Sequence, residues 1–451
     1  MLAERTAVSV DRDLFDSLKS ARSITDQLFA IVPDDFLYER PIPERHRIVF
    51  YIGHLEAFDW NLLRERLLDM PTFDTKLDQL FAFGIDPVDG GLPTDQPSDW
   101  PRLKDVREYV AQIRSRLDDA LEVEIERLGS DDSREFAASQ LLHVAVEHRL
   151  MHAETLAYML HQLPLSQKIR PDRLPQIEAS PVVPTTIQIP AGEATLGLSR
   201  AEGRFGWDNE FERHIVSVPA FSIDRYKVTN GQFLEFIAAG GYDNRALWTD
   251  DAWRWKEDAK ISHPVFWRRD GDQWFLRTMF EDLPLPASWP VYVSHAEADA
   301  YARWAGKSLP TEEQWHRAAY ATQQDSPATD RHHRNYPWGN DSPAARHGNF
   351  DFKRWDPAPV NAFPAGDSAL GVSDMLGNGW EWTSTVFAPF QGFEPFPFYP
   401  GYSANFFDGK HFVMKGGSPR TAACMLRYSF RNWFQPHYQY VYAGFRCVRE
   451  I

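Results

Sequence analysis

Residues 162–186, QLPLSQKIRPDRLPQIEASPVVPTT, are rich in Pro and carry no apolar period, and they divide this chain of 451 residues into two unlike halves. Pro fixes φ and has no N–H to donate, so such a run reads as an extended linker, placed here at 166–186. Before it, over 1–165, Gly is scarce and apolar residues recur every three or four positions, the signature of amphipathic helices. Helices are expected near 11–31, 43–68, 103–128 and 133–163, lengths that suit an antiparallel four-helix bundle. The connection between the second and third contains PVDGGLPTDQPSDWP and reads as loop; connections that long are often functional. After the linker, over 187–451, Gly, Pro, Trp and short β-like runs dominate, which predicts one α+β domain with much irregular structure. Helices are expected there at 228–239, 295–304 and 311–321, the last opened by Thr311 as N-cap with Gln314 completing a capping box.

Composition excludes several classes. No window approaches the ~18 consecutive apolar residues of a membrane span, and the first residues show no secretory pattern. Asp and Glu outnumber Lys and Arg by 64 to 48, with no basic stripe, so neither nucleic acid nor a membrane surface is expected as a partner. Two cysteines, Cys424 and Cys447, cannot build a disulfide framework, and a reducing cytoplasm is the expected compartment. Aromatic residues reach 14%, with 16 Trp; they supply either a large aromatic core or walls for a cationic ligand.

The strongest local chemistry is EHRLMHAE. His148 and His152 are four residues apart, so on a helix they share a face and can ligate one metal. Glu154 points elsewhere and reads as a supporting residue, and His143 lies off that face. The third ligand must come from another helix, where His54 in VFYIGHLEAFDW is the candidate. Three neutral imidazoles leave positions open for substrate and dioxygen on Fe(II), or for water on Zn(II), and ligand type does not choose between these. CxxC, HExxH, Walker and GxSxG patterns are all missing from the sequence.

Beyond the linker, IPAGEATLG, FGWDNE, YKVTNGQFLEFI, PVYVSHAEADAYARWAGKSLPTEEQW, YPWGN, HGNFD, DMLGNGWEWTST, KGGS and AGFRCVR resemble, in order, the formylglycine-generating-enzyme family. That resemblance implies a C-type-lectin-like fold. The copper chemistry of that enzyme needs paired cysteines, which are missing here. The first half resembles a DinB-type bundle, and His54 with His148-x3-His152-x-Glu154 resembles the iron site of ergothioneine-type sulfoxide synthases, which join these two domains in this order. The resemblance implies a mononuclear Fe(II) enzyme that uses O2 as co-substrate and attaches sulfur or selenium to the imidazole C2 of hercynine, a trimethylated betaine. It places substrate contacts at Asn432, Trp433 and the FYPGY run, where Tyr399 or Tyr402 would donate a proton or hydrogen atom.

Three departures concern the donor side. Relatives that take γ-glutamylcysteine carry an arginine-rich loop, whereas no Arg or Lys occurs here between Lys76 and Arg102. Phe434 follows Trp433 where the mycobacterial type has Asp, and Met151 precedes His152 where Gln is usual. A loop of neutral and acidic groups suits hydroxyls, which points to the selenoneine-synthase branch and a selenosugar donor. The alternatives are an ergothioneine-type synthase using cysteine or γ-glutamylcysteine, a zinc-dependent DinB-type thiol transferase, and a binding module without catalysis.

Overall fold

The computed structural model describes residues 4–85, 92–128, 132–172, 174–178, 180–322 and 334–451. It divides into two compact units, 1–171 and 172–451. The acidic stretch 86–91, part of the loop singled out above, lies outside the described residues, as do 173 and 179 of the linker.

The first unit holds α1 (Glu4–Ala30), α2 (Ile48–Leu63), α3 (Thr75–Phe83), α4 (Leu103–Leu128) and α5 (Asp132–His161). α1 packs on α5, and α2 packs on α4, α3 and α5. α1 begins at Glu4, ahead of the expected 11, and two further details differ from the sequence expectation. α2 does not run over 43–68. Arg47 is held extended at its start, donating to Tyr38 O at 2.7 Å and to the Asp95 carboxylate at 3.0 Å, so tertiary bonds delay the helix. Its end passes into one π-helical turn, Arg64–Leu68, closed by Asp69 in the left-handed region at φ 48°. The second difference is α3, a short helix inside the long connection. Its signal was Asp74, whose carboxylate caps the N–H groups of Lys76 and Leu77 at 3.1 Å.

The core of this bundle is not wholly apolar. Arg149 on α5 is fully buried and reaches two carboxylates on α2, Glu56 at 2.9 Å and Asp59 at 2.5 Å, and the carbonyl of Leu55 at 2.9 Å. Arg114 on α4 ties the same Glu56 carboxylate (2.7 Å) to Asp26 on α1 (2.7 Å), while Arg22 on α1 pairs with Asp118 on α4 at 2.5 Å. Burial opposes charge on Glu56, but Arg149, Arg114 and Arg22 outweigh it and hold the carboxyl down at about 2. Burial raises Asp59 to about 6 against the pull of Arg149.

In the second unit, Thr186–Ile189 and Val448–Glu450 both pair antiparallel with Phe221–Asp224, so the two ends of the unit meet in one sheet. A four-stranded sheet runs in the order Asn432–Phe434, Phe412–Lys415, Trp380–Val386, Ala443–Gly444, with the last pair parallel. Two smaller antiparallel sheets complete it. The helices are α6 (Asn230–Ala238), α7 (Asp250–Asp258), α8 (His295–Trp304) and α9 (Glu312–Tyr320). Thr311 and Gln314 form the expected capping box on α9, with reciprocal bonds of 3.2 and 2.9 Å. α7 was not expected, although Thr249 caps it onto Ala252 N at 3.2 Å.

Family-type motifs converge here on buried ion pairs. Glu381 of WEW accepts a bidentate pair from Arg446 of GFRC at 2.6 and 2.8 Å and lies 3.2 Å from Lys227 of YKVTN. Glu210 of WDNE binds Arg427 at 2.8 Å and Ser429 at 2.5 Å. These contacts hold irregular chain where few strand ladders exist.

In the bundle, Arg149→Met should lower stability by about 3–5 kcal/mol, because Asp59 is left buried without its guanidinium. Urea unfolding of the full chain at neutral pH measures it.

Candidate metal centre

The Arg149 cluster fixes the register of α2 against α5, and the three histidines sit beside it on the same helices. His54 lies two residues before Glu56, and His148 adjoins Arg149. One ring nitrogen from each of His54, His148 and His152 lies within 4.8 Å of the others, and among the described residues no other His, Cys, Asp or Glu joins this group. Glu154 is buried nearby in sequence but stands outside it, as its position round the helix requires.

His54 Nδ1 donates to the carbonyl oxygen of Phe81 at 2.7 Å. A carbonyl only accepts, so the ring carries its proton on Nδ1 and presents Nε2 as a lone pair. That Nε2 lies 3.3 Å from Nε2 of His152. Metal–nitrogen bonds of about 2.1 Å would set neighbouring ligand atoms about 3.0–3.4 Å apart, so the spacing matches a shared cation. Phe58 stacks on His148 at 3.4 Å between centroids and Phe50 on His54 at 4.7 Å, which fixes the ring planes.

All three imidazoles are pushed toward the neutral form. Burial, opposed by the Phe81 bond, lowers His54 from 6.5 to about 4. Burial and the neighbouring rings push His148 and His152 well below the usual range. A neutral, preoriented nitrogen set suits a borderline cation such as Fe(II) or Zn(II), and needs no deprotonation at neutral pH.

The remaining candidates lie elsewhere. Met151 is half-buried on α5 beside His152. Tyr399, Tyr402 and Trp433 come together in the second unit: Tyr402 lies 5.7 Å from Tyr399 and 5.5 Å from Trp433, and stacks on Trp207 at 3.9 Å. Trp433 stacks on Phe387 at 4.2 Å. Side chains alternate along a strand, so Asn432 and Phe434 face away from Trp433. Phe434 accordingly stacks on Tyr438 at 4.9 Å, and the Asn432 carboxamide oxygen accepts from Trp433 N at 2.9 Å. Burial, then the charge of Asp208, keeps the Tyr399 phenol protonated beyond its usual range. Sequence reasoning did not single out Trp207 and Asp208 individually, though both stand in FGWDNE; Asp208 accepts from Ser403 at 2.6 Å, next to Tyr402.

A three-histidine bundle followed by a motif-rich, irregular domain defines a two-domain class. Residues 17–156 match the DinB superfamily and 173–451 match the sulfatase-modifying factor enzyme 1-like domain. The hercynine oxygenase of Mycobacterium tuberculosis (strain ATCC 25618 / H37Rv) is 37% identical over 361 residues, covering 76% of this chain and 77% of that protein. That of Mycolicibacterium smegmatis is 34% identical over 450 residues, covering 97% and 99%. Ergothioneine biosynthesis protein 1 of Neurospora crassa is 29% identical, covering 93% of this chain and 56% of that protein. The chain belongs to the hercynine oxygenase family, a family of oxygenase-type enzymes. Among the described residues no helix is long and apolar enough to cross a membrane.

The lowered histidines predict the pH dependence of the metal-free protein. Between about 6.5 and about 4 the unfolded chain binds more protons at His54, so its contribution is full above 6.5 and is lost as pH falls through 4. Asp59, raised to about 6, works the other way, as do the raised Asp208, Glu297, Asp299 and Asp374. The three site imidazoles, however, act together with the lowered His295, His347, His437 and Glu56. Urea midpoints should therefore fall from pH 7 to pH 4, and less steeply in His54→Gln.

Proposed function

We propose that this protein is a selenoneine synthase, joining selenium from a selenosugar to the imidazole C2 of hercynine with Fe(II) and O2. The observation that carries the metal chemistry is the carboxylate-free cluster of His54, His148 and His152, with His148 buried, the other two half-buried, and His54 preset to offer Nε2. His54, His148 and His152 would hold Fe(II), whose chemistry there would be the activation of dioxygen, with O2 as the oxidant for carbon–selenium bond formation. The chain's own share is to hold three neutral rings in place and exclude protons from them.

The donor assignment rests on charge. A γ-glutamylcysteine carboxylate needs arginines to hold it. Of the arginines before the loop, Arg40 and Arg47 are both committed to Asp95, which also accepts from Trp100 Nε1 at 2.7 Å. Arg45 donates to the Tyr158 hydroxyl at 2.9 Å. This arrangement favours a neutral, hydroxyl-rich donor over an anionic peptide. In the second unit, we assign Tyr399 and Tyr402 as proton donors. Trp433, set edge-on to Tyr402, suits the trimethylammonium of hercynine, since ring faces attract cations, with the fully buried Trp207 stacked behind Tyr402. Asn432 and Phe434, on the strand face opposite Trp433, and Met151, beside His152 on α5, are each assigned to substrate contacts. The names of the relatives favour a second reading, a thiol donor giving a hercynine sulfoxide.

Fe(II)-loaded protein with hercynine and O2, offered a selenosugar, cysteine and γ-glutamylcysteine in parallel, separates these readings by mass spectrometry of the products. A selenium-bearing product is expected from the selenosugar. A sulfoxide from the thiols alone would overturn the donor assignment, and turnover with zinc in the absence of O2 would overturn the oxygenase chemistry. Ala at His54, His148 or His152 should abolish iron binding and turnover together, as should chelation.

A further inference from the structure

Gly53 stands in the interior of α2, immediately before His54, where Gly costs about 1 kcal/mol relative to Ala. A Cβ at this position would lie 2.3 Å from Cδ1, 2.4 Å from Cγ and 2.5 Å from Cε1 of Phe81. The Phe81 ring is fully buried and cannot retreat, because Tyr109 lies 5.6 Å and Trp100 6.5 Å from it between centroids. α3 itself is held in place by Asp78, which accepts from Tyr109 Oη at 2.7 Å and from Trp60 Nε1 at 3.3 Å. α3 ends two residues later: Gly84, at φ 74°, makes the last turn's bond to Leu80 O at 2.7 Å. The next carbonyl along, Phe81 O, lies among the helix-end carbonyls that have no intrahelical partner. Its partner is His54 Nδ1 at 2.7 Å.

We propose that Gly53 is a positioning residue for the His54 ligand. Its missing side chain lets α3, held by Asp78, close onto α2 without a clash at the Phe81 ring, and that approach sets the Phe81 carbonyl where it locks His54 in the Nδ1–H tautomer. Nε2 is thereby aimed at the cation. α3, which lies in the long connection between α2 and α4, is then the orienting arm of the metal site. The inference rests on the three-histidine reading above, and partners that orient a ligating His change metal affinity by about 10–100-fold when lost.

The test uses the full chain with Zn(II) as probe, with affinity read by competition against a chromogenic chelator. Tautomer is read from the ring 15N shifts of His54 in the metal-free protein. Wild type should show Nδ1–H. Gly53→Ala should show mixed tautomers and bind zinc about 10–100-fold more weakly, while still folded, since Ala favours helix. The double variant Gly53→Ala with Phe81→Ala keeps the backbone carbonyl and makes room for the methyl group, so it should recover most of the lost affinity. A role in packing alone predicts the opposite, because the double variant also loses a buried ring. Wild-type zinc affinity in Gly53→Ala, or an Nε2–H ring in the wild type, would overturn the proposal. His54→Ala separates the layers. Undiminished zinc binding there means the three-histidine reading has failed, whereas loss there with wild-type affinity in Gly53→Ala removes only the positioning role.

Discussion

The Arg149 guanidinium is the fixed point of the helical unit. A buried charge is tolerated only when its partners are in place, and here they come from two positions one turn apart on α2. A slip of α2 along α5 would strand Arg149, Glu56 and Asp59 together in an apolar interior. The cluster therefore sets a register that apolar packing alone would leave tolerant. Because His54 and His148 flank these residues, the same constraint determines how closely the imidazoles approach. Arg114 and Arg22 extend it to α1 and α4, so all four long helices answer to one electrostatic arrangement.

The second unit solves a different problem with similar means. Its strands are short, and much of its chain has no ladder to satisfy backbone groups. Lys227, Arg446 and Lys415 reach into that irregular chain and donate to carbonyls as well as carboxylates; Arg446 alone serves Asp224, Arg225 and Ser373. Lys415 donates to Tyr428 O and Phe430 O at 3.1 and 2.6 Å, and burial lowers it to about 8. The motifs that made this half recognisable are thus largely framework, whereas Trp207, Tyr402 and Trp433 form an aromatic cluster with Trp207 fully buried.

Much of this was legible in sequence. Helical period and Pro content separated the two halves, and the i, i+4 histidines exposed one face of the metal cluster. Capping boxes located α9. α3 was harder to read because nine residues between an Asp cap and a Gly stop carry little periodicity of their own, and Tyr109 and Trp60 hold the helix only through Asp78. The late start of α2 was hidden because it depends on Asp95, far along the chain, and its end because it passes into a π-helical turn. Phe434 looked like a neighbour of Trp433, and strand alternation put it on the other face. The orienting bond to His54 had no sequence signal, since its acceptor is not a side chain.

That last point bears on how such a site drifts over evolutionary time. Where a carboxylate orients a ligating histidine, one codon change removes it, and selection leaves a visible mark at that position. The acceptor for His54 is a peptide oxygen, present whatever residue occupies position 81. No single replacement can delete it; only a displacement of the backbone can. The arrangement is insulated from point mutation at the acceptor and exposed instead at the volumes around it, so its history would be written in permitted side-chain sizes and not in a conserved polar residue.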